Sequence, residues 1–437
     1  TLGGSIRFDG SDLFGVDKKY RYLPLYSVSG LWRISQEPFM ASAKWIDNLV
    51  VRASYGLQGN IDKNTSPFLL GNYRIENILP GGSEDMIDVS GAPNKKLRWE
   101  KTHSVNAGFD FAVLNQAINL SVDYYYRKGV DLIGTQMLPL ETGFEMLTVN
   151  WASMRNQGVE VALSTRNVHT KNFMWTTNFN FAYNNNKVLK EALREDALEP
   201  GREGYPAGAL FALKTAGLDE EGYPMFQDKD GKAVSAMEFF KLQEWGFGAT
   251  DLTARERREL YTYVGTADCP YTGGFNNTFT YKAFELGVNF SFDFGGKVRS
   301  QPTYSIVDFD KGRNTNRDIL NRWTPENTET IFPVLLSQNE RLDEYMWYSN
   351  QNEIYRNLDI WIRDLNYVRL QNIRLGYTLP TNFSRTLGMT SATVAIEGRN
   401  LLVFGSSYKN YLDPETMSNA YATPAPKSVT LSLNLIF

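Results

Sequence analysis

The feature that most narrows what this chain can become is an alternation of apolar and polar residues held over segments longer than the strands of soluble sheets. In "SVNAGFDFAVLNQAINLSVDYYYRKGVDLIG", Val105, Ala107, Phe109, Phe111 and Val113 share one parity and Ser104, Asn106, Gly108 and Asp110 the other. After a turn at Asn115 and Gln116 the pattern resumes with Ile118, Leu120, Val122, Tyr124 and Tyr126 opposed by Asn119, Ser121, Asp123 and Arg127. Side chains of an extended chain point alternately to its two faces, so this reads as a long hairpin with one apolar and one polar face. The unit recurs in "GVEVALSTRNVHTKNFMWTTNFNFAYNNN" and in "NNTFTYKAFELGVNFSFDFGG", with single strands in "YSVSGLWRIS", "LVVRASYGLQGN", "YVRLQNIRLGYTLP" and "ATVAIEGRNLLVF". In "YVRLQNIRLGYTLP" the parity breaks between Leu370 and Ile373, which predicts a bulge at Gln371 and Asn372.

About twelve such strands of about nine to fifteen residues each exceed the usual five or six and suit a tilted crossing of a bilayer. Connections after Ser35, Val113, Asn167, Tyr281 and Leu379 read as short, and those after Asp9, Gly59, Ile133, Asn186, Gly295 and Phe404 as mostly long. That alternation puts tight turns on one side and long loops on the other, the layout of an outer-membrane barrel with its long loops outside. The polar face carries Asp110, Asp123, Arg127, Glu160, Arg166, Glu285 and Asp293 in mid-strand, as beside a wet lumen, while the apolar face is nearly free of charge, as beside lipid. The fold expected is therefore all-β, a transmembrane antiparallel β-barrel with long extracellular loops. A secreted β-rich hydrolase or adhesin built as a sandwich is the competing reading. Since no open sheet edge survives in lipid, closure requires strands beyond this sequence.

The composition excludes several classes. A formal net charge of -4 argues against a nucleic-acid partner. A single cysteine, Cys269, excludes a disulfide framework and a cysteine-based zinc site. No run of about eighteen apolar residues reads as a membrane helix, and no signal-peptide core opens the chain.

The blocks "RFDGSDLFG", "SVSGLWRISQEPFM", "VVRASYGLQGN", "LRWEKTHSVNAGFDF", "SMRNQGVEVALSTRN", "YTGGFNNTFTYKAFELGVNFSF", "RWTPENTETIFP" and "DPET" follow one another in an order that resembles the SusC/RagA family of TonB-dependent outer-membrane transporters. The resemblance runs from about Thr1 to Phe437. It implies a barrel of about twenty-two strands, of which residues 1–437 would be the C-terminal portion. Its plug domain, TonB box and early strands would lie in an upstream segment. It further implies uptake of oligosaccharides, or alternatively oligopeptides, driven by the TonB complex. A SusD-like surface lipoprotein would form the lid, importer–lid pairs would associate as a possible dimer, and no cofactor is implied. The final strand "SVTLSLNLIF", with Val429, Leu431, Leu433, Leu435 and the terminal Phe437 on one face, resembles the signal read by the barrel-assembly machinery before insertion into outer-membrane lipid.

Catalytic signals are weak. His103, on a polar strand face or its rim, and His169, in a tight turn, belong to no HExxH motif; no GxSxG occurs, and "FGGKV" is no phosphate loop. A glycosidase carboxylate pair in space is not singled out by any residue. In "DEEGYPMFQDKDGK" Gly231 follows Asp228 and Asp230 too early for a calcium loop, and Phe239 stands where its last ligand belongs; a polar turn is the better reading. The expectation is an importer without catalytic or metal residues. Segments 188–273 and 296–366 are the expected external loops. Tyr345, Trp347, Tyr348, Tyr355 and Trp361 in the second are candidate substrate contacts, because aromatic rings with polar edges suit sugar rings and peptide side chains. Packing between loops, or an aromatic girdle near the headgroups, is their alternative role.

Overall fold

The computed structural model describes residues 1–11, 21–79, 82–300, 312, 317–335, 341–344, 346, 356–386, 388–405, 413–417 and 422–437. Its main body is one twelve-stranded sheet in which each strand pairs antiparallel with its neighbours in chain order. We number these strands β1 (Leu2–Gly10), β2 (Tyr22–Arg33), β3 (Ile46–Asn60), β4 (Glu100–Val113), β5 (Ile118–Met137) and β6 (Met146–His169). They continue as β7 (Phe173–Lys190), β8 (Tyr271–Tyr281), β9 (Phe284–Arg299), β10 (Ile362–Thr378), β11 (Ser391–Phe404) and β12 (Ser428–Ile436).

The register carries the alternation across the whole sheet. One row reads Phe111, Leu120, Leu163, Phe179, Phe275, Phe290 and Leu370, from β4 to β10, each directly opposite the next. The adjacent row on the other face reads Asn119, Ser164, Asn178, Asn276, Asn289, Asn372, Arg399 and Ser428. A one-residue slip anywhere would exchange the faces, so the two uninterrupted rows are the strongest sign that one face meets apolar and the other aqueous surroundings. On β5 the apolar stripe runs from Ile118 to Tyr126. That is about 27 Å along the strand and about 21 Å in height at a tilt of about 40°, near the apolar band of an outer-membrane barrel. The predicted bulge is present: the pairing of β10 with both neighbours skips Gln371, between Leu370 and Asn372.

The connections obey the expected order of sides but not the expected lengths. The turns at 114–117, 170–172 and 282–283 are tight, and Leu114, Asn115, Gln116 and Lys282 adopt positive φ there. Residues 34–45 and 379–390, on the same side, are longer because helical turns fill them: Ile34–Gln36 and Pro38–Met40 in the first, Thr381–Thr386 in the second. Conversely, the loop expected after Ile133 shrinks to 138–145. The ladder of β5 and β6 continues past a bulge at Asp131, which takes φ 57, and lengthens these strands to 20 and 24 residues. A 24-residue strand is far longer than a bilayer crossing, so this hairpin stands well clear of the membrane on the side opposite the tight turns.

β1 and β12 each have one neighbour in the sheet. Along β12, Val429, Leu431, Leu433 and Leu435 are exposed, as is Phe437 just past its end, by 81%. An apolar edge of this kind is stable in lipid only when another strand pairs with it.

Candidate functional site

The polar face is the concave, lumenal wall, and its chemistry is assembled from residues two apart on successive strands. Arg52 of β3 reaches across β4 to β5: it pairs with Asp110 and Asp123 and donates from Nη2 to Ser121 Oγ at 3.1 Å. Ser121 in turn donates to Asp110 Oδ1 at 2.7 Å. All three charged side chains are about a third exposed, so water screens the pairs and they add little stability. Their effect is on the wall itself, where two carboxylates and one guanidinium leave a net negative patch.

Toward the tight turns the wall becomes amide-lined. Asn178, Asn180, Asn276 and Asn289 edge a concavity of about 450 Å³ together with Asp110, Asn119 and Ser164. Higher up, Asn186 donates to Asn156 at 2.7 Å and Tyr125 Oη donates to Asn184 Oδ1 at 2.9 Å. Gly158 makes room for that tyrosine: a Cβ there would lie 2.1 Å from the Tyr183 carbonyl oxygen and 2.6 Å from Tyr125 Oη.

Two connections fold inward from the side opposite the tight turns. Leu97 and Trp99, just before β4, bury against Leu23 and Leu25 on the lumenal face of β2. Between β11 and β12, the segment Asp413–Met417 lies against β10. Arg369, 2% exposed, pairs with Asp413 and, through Nε at 2.9 Å, with Glu415. Tyr367 Oη donates to Asp293 Oδ2 at 2.6 Å and lies 3.2 Å from Glu415 Oε1. The "DPET" block is therefore a latch that fixes this segment of the connection to the lumenal wall. Burial alone would raise the Asp413 carboxyl, but its Arg369 partner and the Glu415 amide outweigh burial and hold it below the usual range. A carboxyl lowered by folding contributes stability above its unfolded value of about 3.9 and loses it as pH falls through the lower folded value. Hydrogen exchange over 413–417, corrected for intrinsic rates, is expected to stay flat from about pH 8 to 5 and to rise only below about pH 4.

The long connections form a folded module. Ala209–Leu213 pairs with Tyr261–Thr266, and Thr215–Leu218, Pro224–Gln227 and Ala233–Val234 make a second small sheet. Phe226 and Phe239 stack and Phe240 meets both edge-on, with ring centroids 4.8 to 5.1 Å apart, at the centre of a core that includes Leu213, Leu358 and Trp361. Two short helices bound it, each capped as its sequence dictates: Ser235 accepts from the Glu238 amide, and Thr253 with Glu256 forms a reciprocal capping box. That box, with Lys241 beside it, draws the Glu256 carboxyl down to about 2. Asp228 accepts from the amides of Asp230 and Lys232, the polar turn expected of "QDKDGK". Among the described residues no group of acids, histidines and cysteine has metal-binding geometry.

This core changes the reading of the candidate aromatics. Trp361 is 1% exposed and packs 5.8 Å from Phe332, which is the packing between loops held open as its alternative role. Tyr345, Trp347, Tyr348 and Tyr355 lie outside the described residues. Replacing Trp361 by Ala is expected to cost the module about 3–5 kcal/mol. Limited proteolysis should then cut within 209–266 while the barrel keeps its heat-modifiable migration.

The aromatics the module does display were not singled out in the sequence. Trp245, 72% exposed, and Phe247 both take left-handed backbone, and their amides donate to the Asp343 carboxylate at 2.7 and 2.9 Å. Left-handed conformations cost non-glycine residues energy, so a carboxylate from a distant loop holding two of them presents these rings by construction. The dipeptide repeat "WGFG" was the available sign.

Of the two places expected for His103, the polar face or its rim, the structure shows the rim. Its register with Val105 and Leu57 places it on the outer face at the rim, 2.9 Å from Tyr55 Oη. His169 ends β6 beside the turn at 170–172.

Residues 1–401 match the family model described as "TonB dependent receptor-like, beta-barrel". TonB-dependent receptor P3 of Formosa agariphila is 27% identical over 99% of this chain and 43% of its own length. The TonB-dependent receptor SusC of Bacteroides thetaiotaomicron is 25% identical over 99% of this chain and 41% of its own. Among solved structures, the RagAB peptide importer in its "open-open" state superposes with a TM-score of 0.76 at 24% identity, over 100% of this chain and 45% of that one. The chain thus spans less than half the length of the relatives it matches.

Proposed function

The chain belongs to the TonB-dependent receptor-like β-barrel family of the outer membrane, and on that premise we propose that it is the C-terminal portion of an oligosaccharide importer. An upstream segment supplies the plug domain and the early barrel strands, and those strands pair with β1 and β12 and close the cylinder. A SusD-like surface lipoprotein covers the loops, ligand is held between lid, loops and plug, and the TonB complex moves the plug. Residues of the lumenal wall bind and guide; no covalent step is part of the reading. Importer–lid pairs associate as dimers.

The observation that carries the sugar reading is the amide-rich wall around Asn178, Asn276, Asn289 and Asn372. Carboxamides offer donors and acceptors without net charge, the match for a neutral, hydroxyl-rich ligand. Trp245 and Phe247 add flat apolar faces at the loop surface, suited to sugar rings or to the lid. A second reading, import of oligopeptides, is favoured by the acidic excess of the wall, where Arg52 faces two carboxylates and Arg369 three within its network. It also fits the peptide importer among the structural neighbours. Cells lacking the transporter, given size-graded fluorescent oligosaccharides and oligopeptides, separate the two. Loss of sugar uptake with peptide uptake unchanged is expected, and the reverse result would overturn the sugar assignment.

A further inference from the structure

Above the apolar band, and separated from it by the row Tyr126, Gln157 and Asn185, the outer face carries a row that an isolated sheet would not favour. His103, Lys128, Arg155 and Lys187 stand opposite one another on four successive strands, β4 to β7. All share the parity of Tyr124, Tyr126, Val159 and Tyr183, and therefore face away from the lumen. Neighbouring strands are about 4.8 Å apart, so Lys128, Arg155 and Lys187 set three positive charges within about 10 Å. Like charges directly opposite on paired strands are destabilising, and this row contains two such pairs side by side.

Nothing among the described residues neutralises them. Among the described residues no ion pair or hydrogen bond joins these three side chains to an acid, and Arg155 Nε is buried without a partner. Asp131, in the bulge three residues beyond Lys128, is already held by Arg98 at 2.7 Å and Lys101 at 3.1 Å. His103 is engaged by the Tyr55 hydroxyl. Tyr126 and Gln157 lie one outward position below the row, and beyond it Lys190 Nζ caps the Trp151 ring at 3.2 Å. Aromatic rings with basic neighbours mark the depth where acyl chains give way to headgroups.

We propose that Lys128, Arg155 and Lys187 form a binding site for the phosphate of a phosphorylated outer-leaflet glycolipid of the lipid A class. The site lies on the outside of the barrel and is separate from the transport path. A guanidinium flanked by two ammonium groups offers a bidentate fork and two point charges to one phosphate, and the apolar stripe below receives the acyl chains. The inference rests on the outer-membrane reading, since it needs this face to meet lipid.

The test is native mass spectrometry of the full-length transporter in mild detergent, with phosphorylated lipid A, its dephosphorylated form, or inorganic phosphate added. The wild type should retain the phosphorylated lipid in preference to the dephosphorylated one. The Lys128→Gln/Arg155→Gln/Lys187→Gln variant should lose that preference by on the order of 100-fold, since each basic residue at an anionic surface is worth about a factor of five. A Lys128→Arg/Lys187→Arg variant should keep it, and heat-modifiable migration checks the folding of each. Where the triple variant does not fold, Lys187→Gln alone must show a smaller loss in the same direction. Equal retention by wild type and variant, or equal binding of the dephosphorylated lipid, overturns the proposal. Displacement by millimolar inorganic phosphate would mean a soluble anion instead of a lipid. If no lipid of either kind is retained, the outer-face reading itself fails.

Discussion

Replacing Arg369 by Met is expected to release the Asp413–Met417 segment from the lumenal wall and to abolish most uptake. The magnitude follows from what is left behind. Arg369 is 2% exposed and Asp413 8%, so the substitution strands a carboxylate in a nearly dry position. Removing one partner of a buried pair costs about 3–5 kcal/mol, chiefly because the remaining charge is uncompensated. Hydrogen exchange over 413–417 should therefore accelerate by on the order of 100-fold or more, with the protection of β5 and β6 unchanged. The companion Arg369→Met/Asp413→Leu removes both charges and should restore part of the protection, because an apolar pair of similar volume is often tolerated. A single variant that keeps its protection would show that apolar packing around Met417, and not the ion pair, fastens the latch.

The second large effect concerns the outer band. Leu120 lies in mid-row among Phe111, Leu163 and Phe179, and Leu120→Arg should cost the full-length transporter about 2–4 kcal/mol in guanidinium unfolding from liposomes. Ala162→Arg, one residue from Leu163 but on the lumenal face beside Ser121 and Asn180, should cost under about 1 kcal/mol. Two arginines at the same depth on opposite faces thus differ only in the medium they enter. Similar costs for both would remove the distinction between lipid and lumen.

Most of the barrel is legible in the sequence because a strand's faces are set by parity, which is a local property. The bulge at Gln371 shows how fine that legibility is: one missed beat between Leu370 and Ile373 reappears as a skipped pair on both sides of β10. The lengths of connections were less legible. The ladder of β5 and β6 runs on past Asp131 because pairing, once established, continues as long as both chains stay extended, and that depends on two distant segments at once. The loop module was missed for the same reason. Its core joins Leu213 and Phe226 to Leu358 and Trp361, across more than a hundred residues, although "SAME" and "TARE" carried ordinary helix-start signals. Trp361 therefore looked like a ligand contact, since an aromatic residue among polar neighbours gives no sign of whether a remote segment will cover it. The site was the least legible part. The basic row exists only in register: Lys128, Arg155 and Lys187 are unremarkable singly, and become a cluster when three strands align.

All of this depends on which medium each face of the sheet meets. Spin labels placed singly at residues 118 to 126 of the full-length transporter, in a Cys269→Ser background and reconstituted in bilayers, read that medium directly through their accessibility to oxygen and to a water-soluble nickel chelate. Positions 118, 120, 122, 124 and 126 should be reached by oxygen and shielded from nickel, while oxygen access falls at 119, 121, 123 and 125. Loss of that two-residue period, or nickel reaching the first set as readily as the second, would contradict the barrel and every functional statement built on it.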